Sequence, residues 1–173
     1  MSADQKDPCL HQLFERQVRL SPKAPAVVDT RGTLTYEELD RQAERLAAHL
    51  RGVGVRADEV VGIYLERCSE YVVACLAALK AGGAFLPLEL AYPESLLGEV
   101  VADSEPRIVL TQERLAERLP QEQARFYLDE GWEEAVENAG ARDGREPNPE
   151  NLVFVAYSSG TTGKPKGLSL IHI

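Results

Sequence analysis

The residues that most constrain this chain come near its end: Ala156-Tyr157-Ser158-Ser159-Gly160-Thr161-Thr162-Gly163-Lys164-Pro165-Lys166-Gly167, entered through the apolar run Leu152-Val153-Phe154-Val155. A short apolar run bounded by turn residues reads as a buried strand that delivers the chain into a polar loop. Glycines in such a loop let the backbone approach an anion, while amides and hydroxyls donate hydrogen bonds to it. Lysines add compact positive charge. Each bond to a charged oxygen contributes roughly 1.5–3 kcal/mol, so this composition suits a polyphosphate. The ordinary alternative is a flexible Gly/Ser/Thr/Lys linker, but linkers do not follow an apolar strand.

Spacing separates this loop from two others. A Walker loop needs glycine, four residues and then Gly-Lys-Ser/Thr; the fifth residue after Gly160 is Pro165, and Gly-Lys-Ser/Thr occurs nowhere in the chain. A small kinase built on that loop is set aside with it. A dinucleotide fingerprint needs three glycines opening a helix, and Pro165 argues against an immediate helix.

Upstream, helices alternate with short strands. Leu10, Leu13, Phe14, Val18 and Leu20 recur at helical spacing until Ser21-Pro22. Ala26-Val27-Val28 and Thr33-Leu34-Thr35 flank the turn Asp29-Thr30-Arg31-Gly32 as a hairpin. Thr35 and Glu38 form a capping box for a helix with the apolar stripe Leu39, Ala43, Leu46, Ala47 and Leu50, stopped at Gly52-Val53-Gly54. Glu37, Glu38, Arg41, Glu44 and Arg45 then make its solvated face.

Val60 to Leu65 reads as a strand, Ser69 as the cap of a helix to about Lys80 that is apolar nearly all round, and Ala84 to Leu88 as the next strand. Pro93 opens a helix carrying Leu96, Leu97, Val100 and Val101, and Arg107 to Thr111 is a further strand. Segments 111–119 and 125–128 repeat the alternation more weakly, and 140–151 is a polar loop. This pattern predicts an α/β layered fold with a mostly parallel sheet flanked by helices. It divides into an N-terminal helix and lead-in (1–25), an α/β region (26–151) and the phosphate-loop strand and loop (152–173). The strand at 152–157 is expected to be buried between helices, with the loop 158–167 exposed at its C-terminal end.

A net charge of −9 without a basic stripe argues against nucleic-acid and membrane-surface partners. The longest apolar stretch, Tyr71 to Leu79, is too short to cross a bilayer, and Met1 to Pro8 has neither signal- nor transit-peptide character. Cys9, Cys68 and Cys75 have no zinc-site spacing and fit a reducing compartment. A soluble cytoplasmic protein is expected.

The loop Tyr157 to Gly167 resembles, without a gap, the phosphate loop of the adenylate-forming (AMP-binding) ligases, which include acyl-CoA synthetases, peptide-synthetase adenylation domains and luciferases. Two upstream segments extend the likeness: Leu34-Thr35-Tyr36-Glu37-Glu38-Leu39, and Leu79-Lys80-Ala81-Gly82-Gly83-Ala84-Phe85-Leu86-Pro87-Leu88 continued by Ala91-Tyr92-Pro93. Asp103-Ser104-Glu105-Pro106-Arg107-Ile108-Val109-Leu110-Thr111 is similar to the amino-acid-activating branch. Two positions depart from that branch. Glu89-Leu90 stands where it usually carries Asp-Pro, and Ser95 where it usually carries arginine.

The resemblance implies the N-terminal part of an adenylation domain, covering 1–173. Its implied activity is ATP-dependent conversion of an amino or fatty acid to an acyl-adenylate, then transfer to the thiol of phosphopantetheine or coenzyme A. Ser158, Ser159, Gly160, Thr161, Thr162, Gly163 and Gly167 would hold the β- and γ-phosphates, Lys164 and Lys166 would offset their charge, and Pro165 would keep the loop from becoming helix. His172 matches a family position near the substrate. No catalytic residue and no ligand of magnesium (Mg2+) is assignable within the chain, and the groups for adenine, acid selection and metal would lie beyond Ile173. The implied partners are a carboxylic acid and a carrier-protein domain. The competing expectation is a truncated, non-catalytic fragment acting through protein contacts, and in either case the chain alone is expected not to turn over.

Overall fold

The computed structural model describes residues 8–136, 148–159 and 165–171. Helix α1 (Leu10–Leu20) starts at Cys9, whose N–H donates to Gln12 Oε1 at 2.9 Å. None of its residues is buried, and Leu10, Leu13 and Leu20 stay exposed. The expected hairpin follows as β1 (Pro25–Asp29) and β2 (Gly32–Thr35), paired antiparallel. The expected capping box of α2 (Tyr36–Gly52) forms: Glu38 N donates to Thr35 Oγ1 at 3.3 Å, and Thr35 N to Glu38 Oε2 at 2.9 Å. The Thr35 N–H, and then the Thr35 hydroxyl, both donating to Glu38 Oε2, hold the Glu38 carboxyl below its usual range.

Strand β3 (Val60–Tyr64) leads through α3 (Ser69–Lys80) to β4 (Ala84–Pro87), and α4 (Glu94–Ser104) leads on to β5 (Ile108–Thr111). A 3-10 helix (Glu113–Arg118), β6 (Arg125–Tyr127) and the short α5 (Trp132–Ala135) replace the weakly patterned segments. Strands β7 (Leu152–Ser159) and β8 (Pro165–Ile171) complete a six-stranded sheet of order β6-β5-β3-β4-β7-β8. All neighbours are parallel except β7 and β8.

The period-2 alternation of β3 sorts its side chains into two cores. Val61 and Ile63 pack with Leu46 and Leu50 of α2 and with Val73 and Ala77 of α3. Tyr64 packs with Leu86, Val109 and with Leu97 and Val100 of α4 on the other side. The sheet is therefore flanked by helices on both faces, as the alternating pattern predicts.

Three local readings are corrected. Ser69 does not cap α3 with its own side chain. Cys68 is the N-cap, and the helix's first free N–H, that of Ser69, donates to Asp29 Oδ2 at 2.9 Å. A carboxylate from the β1–β2 turn thus does the capping from across the fold.

Glu44 is not part of a solvated face. Lys80 Nζ lies 2.9 Å from Glu15 and Asp40 and 3.4 Å from Glu44, with its side chain 2% exposed. Burial alone would lower the Lys80 pKa, but the carboxylates of Glu15, Asp40 and Glu44 beside it outweigh it and the net direction is upward.

Strand β7 is not buried between helices: it runs on to Ser159, and among residues 152–157 only Val153 is buried. Strand β7 has β4 on one edge and β8 on the other, but α4 packs on β8, and the faces of β7 stay half-buried.

The Lys80-Ala81-Gly82-Gly83 segment is a helix exit. Gly82 takes the left-handed φ of +93°. A side chain on Gly83 would come within 2.7 Å of the Glu59 carbonyl, which already accepts from Ala84 N at 2.8 Å.

Candidate functional site

The parallel strands β3, β4 and β7 end on the same edge of the sheet. The connection leaving β3 leads through α3 to β4 on one side, whereas that leaving β4 leads through α4 across to β5 on the other. Between β3 and β4 the winding reverses, and such a switch point opens a crevice at the C-terminal ends of the strands. An open crevice of about 780 Å³ lies there, lined by residues that include Val27, Leu65, Tyr71, Leu88, Glu89 and Leu90. Arg118 holds the segment that follows β4, donating to the Leu90 carbonyl at 2.8 Å and the Tyr92 carbonyl at 2.5 Å. Its guanidinium also lies 5.9 Å from the Tyr64 ring centroid. The departure Glu89-Leu90 therefore sits at a crevice wall.

On the same edge, β7 delivers the chain into the candidate phosphate sequence. The antiparallel register pairs Tyr157 with Gly167, Ser158 with Lys166 and Ser159 with Pro165. Of the candidate residues, Ser158 and Ser159 are the last of β7, and Lys166 and Gly167 lie in β8. The expectation of a loop over 158–167 is thus corrected: five of its residues are strand. Pro165 opens β8 rather than only opposing helix, a position where its missing N–H is tolerated. Gly160, Thr161, Thr162, Gly163, Lys164 and His172 lie outside the described residues.

Three contacts fix β7. Phe154 faces Phe85 of β4 in register, their ring centroids 5.1 Å apart. At the strand's start, Asp58 accepts from Leu152 N at 2.8 Å and from Asn151 Nδ2 at 3.1 Å. Asp58 itself has φ of 64°, a conformation aspartate tolerates better than most residues. Near the strand's end, Tyr157 Oη donates to Asp103 Oδ2 at 2.6 Å. Burial, and then the Asp103 carboxylate beside it, push the Tyr157 phenol up to about 12.

The sequence gives no spacing signal for Arg118, Asp58 or the Tyr157–Asp103 pair. Asp103 stands in a family-like segment and Tyr157 in the loop motif, but nothing in either says they meet.

Among the described residues no group of three or more His, Cys, Asp or Glu is placed to hold a metal ion. Cys9, Cys68 and Cys75 are free thiols, and burial pushes the Cys75 thiol up to about 12. Among the described residues no helix is long and apolar enough to cross a membrane.

Comparison with known proteins gives a consistent result. Residues 14–172 match the family model described as AMP-binding enzyme. The chain is 44% identical over 170 residues to glycine betaine reductase ATRR of Emericella nidulans, covering 94% of this chain and 13% of that protein. It is 40% identical over 166 residues to tyrocidine synthase 1 of Brevibacillus parabrevis, covering 94% of this chain and 15% of that one. Among solved structures, VinN superposes with a TM-score of 0.86 at 30% identity, over 95% of this chain and 44% of VinN. A nonribosomal peptide synthetase with α-methyl-L-serine-AMP bound gives 0.83 at 33% identity, over 99% of this chain and 18% of that one. The chain thus spans a small part of the curated relatives it matches. It belongs to the AMP-binding enzyme family, the adenylate-forming ligases, and its relatives include nonribosomal peptide-synthetase adenylation domains.

Proposed function

We propose that this chain supplies the phosphate-binding part of a site that activates an amino or fatty acid with ATP, in a longer enzyme that then passes the acyl group to a thiol. The observation that carries this reading is the β7–β8 hairpin, which sets Ser158 and Ser159 opposite Lys166 and Pro165 at the C-terminal edge of a parallel sheet. The intervening Gly160 to Lys164 completes a sequence suited to polyphosphate.

In this reading Ser158, Ser159, Gly160, Thr161, Thr162, Gly163 and Gly167 hold the β- and γ-phosphates through amides and hydroxyls. Lys164 and Lys166 offset their charge, and His172 occupies a position that the family resemblance puts near the substrate. A carboxylate oxygen attacks the α-phosphorus, the bond from that phosphorus to the bridging oxygen breaks, and pyrophosphate leaves. The thiolate of phosphopantetheine on a carrier-protein domain, or of coenzyme A, then attacks the acyl carbon and AMP leaves. The protein's share is positioning and charge stabilisation. Free thiols at Cys9, Cys68 and Cys75 fit work in the reducing cytoplasm.

The test is ATP–pyrophosphate exchange by the full-length protein carrying this chain, across a panel of amino and fatty acids. Lys166→Ala should lower kcat/KM for ATP by about a hundredfold and leave the preference among acids unchanged. The 173-residue chain alone should show no exchange above its own Lys166→Ala control. A shifted acid preference with intact ATP dependence contradicts the assignment.

A further inference from the structure

We propose that Tyr157 and Asp103 are a positioning pair for the nucleotide site: their hydrogen bond anchors the phosphate-loop end of the β7–β8 hairpin to the last turn of α4. The inference rests on the nucleotide reading above and adds to it two residues with no contact to phosphate.

The geometry is specific. Tyr157 immediately precedes Ser158 and pairs across the hairpin with Gly167. Its ring lies over β8 against Gly167, where a β-carbon would sit 3.3 Å from Tyr157 Cζ and 3.4 Å from Oη, so that the ring would have to give way by a few tenths of an ångström. The ring also packs against the core cluster beneath α4, alongside Val155. The hydroxyl then reaches Asp103 at 2.6 Å, the length of a hydroxyl bonded to an ionised carboxylate.

Asp103 is an unusual residue where it stands. It lies in the last turn of α4, which holds no basic residue. A negative charge there opposes the helix dipole. Asp103 is also exposed, so it adds nothing to core packing. What it does make is the bond to Tyr157.

The two ends of β7 are thus held by different carboxylates, Asp58 at Leu152 and Asp103 at Tyr157. Of these, Asp103 is the one beside the phosphate residues. Because β8 has no outer neighbour in the sheet among the described residues, β8 depends on β7 and α4 for its place. Loss of the bond frees the end of the hairpin where Ser158 and Ser159 face Lys166 and Pro165.

The experiment uses the full-length protein with Tyr157→Phe, Asp103→Ala, Asp103→Asn and the double variant Tyr157→Phe/Asp103→Ala. Two readouts are taken: steady-state ATP–pyrophosphate exchange, and amide hydrogen exchange of the hairpin. Tyr157→Phe and Asp103→Ala should each raise KM for ATP about fivefold, the worth of one solvent-facing hydrogen bond, with KM for the acid and kcat unchanged. The double variant should be no worse than either single one. Asp103→Asn, whose amide oxygen accepts the same bond, should restore wild-type KM. In Tyr157→Phe the amides of Val155 to Ser159 and Lys166 to Leu168 should lose protection while that of Leu152 keeps it. Unchanged protection at those amides overturns the pair, as does an equal rise in KM for acid and ATP. If the wild type exchanges pyrophosphate with no acid, the nucleotide reading falls separately. Lost protection then still upholds the anchor, and unchanged protection still removes it.

Discussion

Asp29 is the residue on which the hairpin and α3 both depend. Its carboxylate accepts from Ser69 N at 2.9 Å, Arg31 N at 2.8 Å and Gly32 N at 3.1 Å. The Ser69 and Arg31 amides hold its pKa down to about 2. An unfolded aspartate titrates near ~3.9, so the folded chain binds its proton less readily. The stabilisation is complete above pH ~4 and is lost as pH falls through about 2. Asp29→Asn should therefore be less stable at neutral pH and show a shallower loss between pH 5 and 2 in urea titrations. A parallel acid limb would show that the backbone bonds survive protonation. Little of this was legible in the sequence. The local Thr35–Glu38 box could be read because its members are three residues apart, whereas Asp29 and Ser69 meet only through the tertiary fold.

At the scale of elements, the hairpin is where reading and structure diverge most. Ser, Gly, Lys and Pro after residue 157 have the composition of a loop, and no local pattern announces that Ser158, Ser159, Lys166 and Gly167 are ladder positions. Strand character there comes from pairing, and pairing is a long-range property that propensity does not carry. Gly167 shows the difference. Its sequence context is that of a phosphate-loop residue, and its observed contact is the Tyr157 ring. Gly167→Ala should push that ring aside, release Asp103 and cost about 1 kcal/mol in thermal unfolding. The Tyr157 phenol, held at about 12, should move back toward the ordinary value of ~10 in ultraviolet difference titration against Tyr157→Phe. An unmoved titration would mean that the ring accommodates the methyl group.

For the whole molecule, alternation of helical and strand periods was enough to give the layered α/β class and most element positions. Sheet order was not legible, because apolar strands such as Val60–Tyr64 and Ile108–Thr111 look alike in isolation and their neighbours are set by crossovers. The Lys80 cluster was equally hidden: its four charged members come from α1, α2 and α3 and look, one at a time, like surface residues. Lys80→Met should leave three carboxylates facing one another and cost about 3 kcal/mol, with the loss first visible as amide exchange in α1. Equal protection of α1 in both proteins would show that Phe14 against Tyr36, with ring centroids 5.9 Å apart, holds the helix unaided. Heat gives this cluster a further meaning. The cost of stripping water from charges falls as temperature rises, while apolar burial gains little more. A helix with no buried residue, tied through one enclosed ammonium, should therefore hold its place on warming better than its thin apolar contact suggests.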